Sequence, residues 1–308
     1  MKQLKQSLLA FSLIAGASFA CIGQQTPIQE RTVKIGRIIG EADKLREEIN
    51  PREALAIIEE ELETELPPFD GANFETVSAS WTLYSSMARL NFEAARASLD
   101  GGFWEKAAEF HKKEREVVNG ALAKYKDAMA KIIQNWDNER KVRQSIIDAN
   151  GEAIVALKAK DEKDYTNEDY LSKEKLMEWE KAVKEAEDAI KYFEDRIARA
   201  EKEAEFYNPP EPREDAVLQH IADQQAGIDT YRGGPGDKAK WVEGVVANHV
   251  QYMQNFGEAK DKIHFTYRLL ALSPDSKTVP VLLNLLQGKA TDAELRRAIQ
   301  ANRAPARR

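Results

Sequence analysis

His111, His220, His249 and His264 are the only histidines in this chain of 308 residues, and with the single cysteine, Cys21, they are its obvious candidates for metal or nucleophilic chemistry. A metal site between helices needs acids and histidines projecting inward together, usually as two Glu-x-x-His pairs with two further Glu. The nearest approach is Asp261-Lys262-Ile263-His264, which occurs once. A surface or half-buried role is therefore expected for each histidine. The run Gly233-Gly234-Pro235-Gly236-Asp237-Lys238 precedes a helical pattern, where a phosphate cradle could stand. It lacks the spacing of a phosphate-binding loop and the Ser or Thr after its Lys, so it reads as a helix-breaking turn. One cysteine excludes an intramolecular disulfide. No catalytic residue, metal ligand or cofactor is expected from these spacings.

The large aromatics Trp81, Tyr84, Trp104, Trp136, Trp179 and Trp241 recur at helical spacing, where rings mostly fill cores. Each contributes roughly 1.5–3 kcal/mol when buried. Acidic clusters at 59–61 and 114–116 have Lys and Arg neighbours and read as solvated helix faces, whose ion pairs are worth only about 0.3–0.5 kcal/mol each.

The elements that would carry these residues are helices. Charged residues make up 31% of the chain, enough for disorder were the apolar residues scattered, but they are periodic. Leu176, Trp179, Val183, Ala186, Ile190, Phe193, Ile197, Ala200 and Ala204 follow steps of three and four between charged residues. This spacing buries a narrow seam against another helix. Val118, Leu122, Tyr125, Met129, Ile132 and Trp136 supply a matching seam upstream, and Ile146, Ala153 and Leu157 resume it. Joined through the polar stretch 161–172, the two should form a long antiparallel hairpin, its downstream arm roughly 50 Å in length. Tyr165 and Tyr170 then lie at its tip, as candidate contacts for a partner. Glu139 and Arg143 fall on seam positions and predict a change of packing face there. Asn150-Gly151 predicts a helix end, with 152–160 as a separate short helix.

Around this hairpin the pattern divides the chain. Residues 21–30 lack a period and read as a tether, and 31–103 as N-terminal helical hairpins. Within them Asn50-Pro51 ends one helix and caps the next, and Asp70-Gly71 marks a turn. Residues 104–207 form the long hairpin, closed by Asn208-Pro209-Pro210. Residues 214–301 read as a helical module that either packs on the N-terminal one or stands alone, and 302–308 as a basic unstructured tail. The fold class is all-α. The net charge of −7 is spread as mixed-sign faces, without a basic patch interleaved with aromatics, so nucleic-acid binding is not expected. After residue 20 nothing is apolar for long enough to span a bilayer.

Gly102-Phe103-Trp104-Glu105-Lys106-Ala107 resembles the turn and second helix of a tetratricopeptide repeat, with Gly102 closing the hairpin and Ala107 as the small residue at the crossing. Arg52-Glu53-Ala54-Leu55 is similar to the same second helix, and 255–274 to a third copy in which Lys262 replaces the small residue. Ala54 and Ala107 do not keep the period of about 34 residues. The resemblance implies a groove that binds peptide or protein. Trp81 and Tyr84, on the helix that would line it, are the groove residues it implies.

Lys2 and Lys5, an apolar run over 8–17 and small residues up to Ala20 follow the order of an export signal, 1–20. Ser18-Phe19-Ala20-Cys21 resembles the lipobox of bacterial lipoproteins, which implies acylation of Cys21 and a membrane contact through that lipid alone. It equally resembles an ordinary signal-peptidase site, which implies cleavage without lipid. The expected protein is exported to the periplasm or cell envelope. It is a non-enzymatic scaffold or adaptor for a protein partner, with self-association also compatible. The alternative is a helical ligand-binding protein or enzyme whose site is assembled from dispersed residues.

Overall fold

A computed structural model describes residues 26–232 and 237–303. The export signal, Cys21, the Gly233–Gly236 turn and the end of the basic tail lie outside the described residues. Those described form twelve α-helices and a single 3-10 turn, with no strand among them, so the fold is all-α.

Helix α1 (Pro27–Glu47) starts in a capping box in which Thr26 and Gln29 satisfy each other's backbone N–H groups. It therefore includes residues 27–30, which lack an apolar period but have Pro27 at the first helical position; the expected tether is shorter by that turn. It buries Ile35, Ile39 and Ala42 along one stripe. Ile49 then adopts φ 62°, a left-handed conformation rare for a β-branched residue, and lets the Asn50 N–H reach the Leu45 carbonyl at 2.8 Å. Helix α2 (Pro51–Leu62) follows with Pro51 in its first turn, although the Asn50 side chain makes no cap bond.

Helix α3 (Phe74–Gly101) is buried on two sides. Leu83, Met87, Leu90 and Ala94 face a core shared with α1 and α2, whereas Val77, Trp81 and Ala88 face a second core. That second core is completed by Tyr125 and Met129 of α4 (Trp104–Ala149) and by Phe193, Ala200 and Ala204 of α6 (Asn167–Glu205). At about 1.5 Å per residue, the 46 residues of α4 extend about 70 Å and the 39 of α6 about 58 Å. They pack as the long hairpin that the seam spacing predicts.

The cover supplied by α3 ends at its first residue. The Phe74 ring lies 5.2 Å from Phe193 and 5.8 Å from Tyr192. Beyond it the seam residues Ile132, Trp136, Ile146 and Val183 are half-buried. The Arg140 guanidinium stands 3.8 Å from Glu187, near where Glu139 and Arg143 interrupt the apolar spacing. Asn150 ends α4, and Gly151–Ala159 is a separate short helix, α5, as the Asn-Gly pair predicts.

After α6 come α7 (Arg213–Arg232), α8 (Lys238–Ala247), α9 (His249–Met253), α10 (Ala259–Leu272), α11 (Val279–Leu286) and α12 (Asp292–Arg303). Of the two arrangements open to this module, the structure has the packed one. Val242, Val246, Leu269, Leu282 and Leu295 join the core of α1, α2 and α3. A close approach is at Gly102, left-handed at φ 80° in the turn between α3 and α4. A Cβ there would sit 2.3 Å from the backbone oxygen of Tyr267 on α10. Arg52 of α2 completes the contact. It donates to the Gly101 carbonyl at 3.1 Å and lies over the rings of Phe103 and Tyr267 at 4.4 and 5.5 Å.

Two measurements check this packing. Gly102→Ala should lower stability by at least about 1–2 kcal/mol from the left-handed backbone alone, with more from displacing α10. An unchanged urea midpoint would show that α10 does not seat on this turn. Phe193→Ala should cost about 3–5 kcal/mol, because the ring is enclosed by α3 and α4. A thermal melt coincident with the wild type would mean that the seam opens to solvent.

Candidate functional site: the tip of the arm

The four aromatic residues expected to meet a partner have different surroundings. Trp81 is 8% exposed, its Nε1–H donates to Glu203 Oε2 at 3.1 Å, and its ring lies 5.3 Å from Tyr125. It is a core residue and lines no groove, since the face of α3 that carries it is covered by α4 and α6. Tyr84 is half-buried, its hydroxyl donating to the Pro67 carbonyl at 2.8 Å and its ring 5.7 Å from Phe69. Burial pushes its hydroxyl pKa upward. The structure does not bring these two into a shared groove.

Tyr165 and Tyr170 do come together at the tip, with ring centroids 5.3 Å apart and an interplanar angle of 70°. Local chain reversal positions them. Thr166 caps α6 through a capping box with Asp169, whose Oδ2 accepts from the Thr166 N–H and hydroxyl at 2.7 Å each. Lys160, at the end of α5, reaches the same oxygen at 2.5 Å. The Tyr165 hydroxyl donates to the Leu157 carbonyl at 3.1 Å, and the Tyr170 hydroxyl to that of Glu162 at 3.3 Å. Lys173 pairs with Glu162 and lies 5.6 Å from the Tyr165 ring centroid. The Lys160 ammonium and the Thr166 donors hold the Asp169 carboxyl at about 2. Bonding to Glu162 raises the Lys173 pKa.

Large apolar side chains are exposed among the charged residues of the tip. Val155, Tyr170, Leu171 and Met177 are each more than half exposed. Between α5 and α6 lies a recess of about 520 Å³, walled by Ile154, Leu157, Leu176 and Trp179 with Lys175 among its polar residues. Such a surface can take up an apolar side chain or helix.

Elsewhere, two acids expected to be solvated are buried. Glu61 is 2% exposed, bound by Arg31 at 3.0 Å and Lys34 at 2.6 Å. Glu114 is 1% exposed and paired with Arg213 at 2.6 Å, with His111 Nδ1 3.3 Å away but not aligned for a hydrogen bond. Their spacing carried the signal: Glu61 follows Ala54 and Ile58 on the inner stripe of α2, and Glu114 follows Ala107 and His111 on that of α4. Glu93, also buried, lies between Arg46 and Arg96, and burial raises its pKa. These acids are spent in separate interhelical ion pairs. Among the described residues no three His, Cys, Asp or Glu side chains are placed to hold a metal ion, and no helix is long and apolar enough to cross a membrane. No protein-family model matches the chain, and neither a curated protein nor a solved structure shows significant similarity to it.

The Asp169 network makes the tip sensitive to acid in a defined direction. A carboxyl held lower in the folded chain stabilises it above the unfolded value of 3.8 and loses that contribution as pH falls through about 2. Amide exchange across 166–170 should therefore be slower in the wild type than in Asp169→Asn at pH 5, with the difference vanishing near pH 2. Equal exchange at pH 5 would show that Asp169 does not hold the tip.

Proposed function

We propose that this protein is a non-enzymatic scaffold or adaptor of the bacterial cell envelope, which presents the arm's tip to a protein partner. The observation that carries the reading is where exposed apolar side chains gather. Five of the ten large hydrophobic residues exposed among those described, Val142, Val155, Tyr170, Leu171 and Met177, lie on the distal arm. A protein that kept this arm only as a spacer would gain nothing from leaving them in water, since exposed apolar surface invites association. An exposed aromatic among them, here Tyr170, is the usual kind of anchor for a protein interface. The export-type segment 1–20 supports the compartment, and the resemblance of 102–107 and 52–55 to tetratricopeptide sequences favours binding over catalysis. If Cys21 is acylated, the lipid ties the base to the membrane and the arm carries the contact away from it.

Replacing residues 161–171 by a short turn should leave the melting of the base unchanged and remove partners captured by cross-linking in intact cells. Leu171→Glu with Met177→Glu should do the same without altering the arm's length. If both variants capture what the wild type captures, the tip is not the contact surface.

A further inference from the structure

Two histidines separated by more than forty residues meet at the base of the molecule. His220 of α7 and His264 of α10 line one recess with Leu99 and Asp100 of α3, Trp104 of α4 and Arg268 of α10. The recess encloses about 230 Å³, below the roughly 300–1,000 Å³ typical of sites for drug-sized molecules. Its capacity suits a small ion or metabolite and not a peptide.

The charges select the ligand. Asp100 Oδ2 accepts from both Nε and Nη2 of Arg46, at 2.9 and 2.7 Å, so this carboxylate is already compensated. Arg268 is exposed and forms no ion pair with the described residues. It lies one turn after His264 on α10, which places both side chains on the same face. The His220 ring, itself exposed, packs edge-on against the buried indole of Trp104 at 4.9 Å and 67°. Asp261, one turn before His264, does not line the recess. Two imidazoles and a carboxylate are donor types that also serve cations. However, His220, His264 and Asp100 are not placed as a metal-binding group, and the Arg268 charge opposes one.

We propose that this recess binds a small oxyanion, a phosphate or a carboxylate, through the Arg268 guanidinium and the His220 and His264 imidazoles above Trp104. A planar guanidinium fork matches two oxygens of either anion, and ring N–H groups supply further donors. The site draws on α3, α4, α7 and α10, so an occupied recess ties the C-terminal helices to the base. It is independent of the role of the arm.

The test uses the imidazole signals of the full chain in proton–carbon NMR, since only four histidines need be resolved. Inorganic phosphate and succinate are titrated separately at constant pH and ionic strength. His220 and His264 should shift together and saturate, while His111 and His249 stay in place; the anion with the lower Kd names the ligand class. Arg268→Gln should weaken binding about tenfold or more, and His264→Asn should weaken it too, each with an unchanged circular dichroism spectrum. Absence of saturable shifts with both anions overturns the proposal. So does a Kd that neither variant alters.

Discussion

The constraint on which the structure depends is that α3 must bury two opposite faces at once. A helix with one apolar stripe packs on one neighbour; α3 has Leu83, Met87 and Leu90 toward one core and Val77, Trp81 and Ala88 toward another. The close approach of its neighbours is permitted by small side chains. Ala88, Ala94, Ala95, Ala97 and Ser98 are each fully buried, and Gly101 and Gly102 follow them. Where these small residues lie, helix backbones draw together, and the Gly102 turn comes near enough to α10 to exclude even a methyl group. Both the C-terminal helices and the root of the arm are therefore referred to one rigid element.

The arm inherits this rigidity only over its first part. Up to Phe193 its seam is closed by a third helix, and Tyr125 and Met129 are fully buried. Farther out α4 and α6 lose that cover: Ile132, Trp136, Ile146 and Val183 are half-buried while Ala186, Leu176 and Leu157 stay buried, and ion pairs such as Lys158 with Glu180 bridge the rim. Exposed pairs of this kind add little stability. Local opening should be easiest along the middle of the arm, where Ile132, Trp136 and Ile146 are only half-buried. The capping box, the Lys160–Asp169 pair and the two tyrosine hydroxyl bonds fix the reversal itself. The result is a shaft that can yield while its end keeps its shape.

Helix boundaries were largely legible in the amino-acid sequence because their signals are local. Pro51, Asn150-Gly151 and Asn208-Pro209 each act on the backbone beside them, whatever the tertiary context. Burial of side chains was less legible. Trp81 sits on an apolar stripe in either reading, and periodicity alone cannot say that α4 and α6 cover that stripe. Glu61 and Glu114 occupy inner positions by spacing, but charge argues for solvent until Arg31, Lys34 and Arg213 are brought up from other helices. His220 and His264 share a recess through contacts between helices distant in sequence, and no local pattern encodes that. The tip position of Tyr165 and Tyr170 is legible because the hairpin, an element of strong period, determines where its turn must fall.

The buried ion pairs have a consequence for how the base holds its register. Glu61 joins α1 to α2, Glu93 lies between Arg46 of α1 and its own neighbour Arg96, and Glu114 joins α4 to Arg213 at the start of α7. Desolvation offsets much of the attraction in such pairs, so their net contribution to stability is modest. Sliding a helix by one turn, however, would leave a carboxylate or a guanidinium buried without its partner, which costs several kcal/mol. Apolar stripes made of Ala, Leu and Ile tolerate such a slip far better, because one methyl surface resembles the next. In this fold the apolar residues supply the cohesion, and the charges, joining different pairs of helices, make one alignment cheaper than the rest. Arg213 does this at the point where the chain leaves the arm. It also donates to the Phe206 carbonyl at 2.5 Å and lies over the Phe92 and Phe206 rings at 5.1 and 4.6 Å. The end of α6 is thereby fastened to α3 and α4, and the direction in which the arm leaves the base is set by a contact that only one register satisfies.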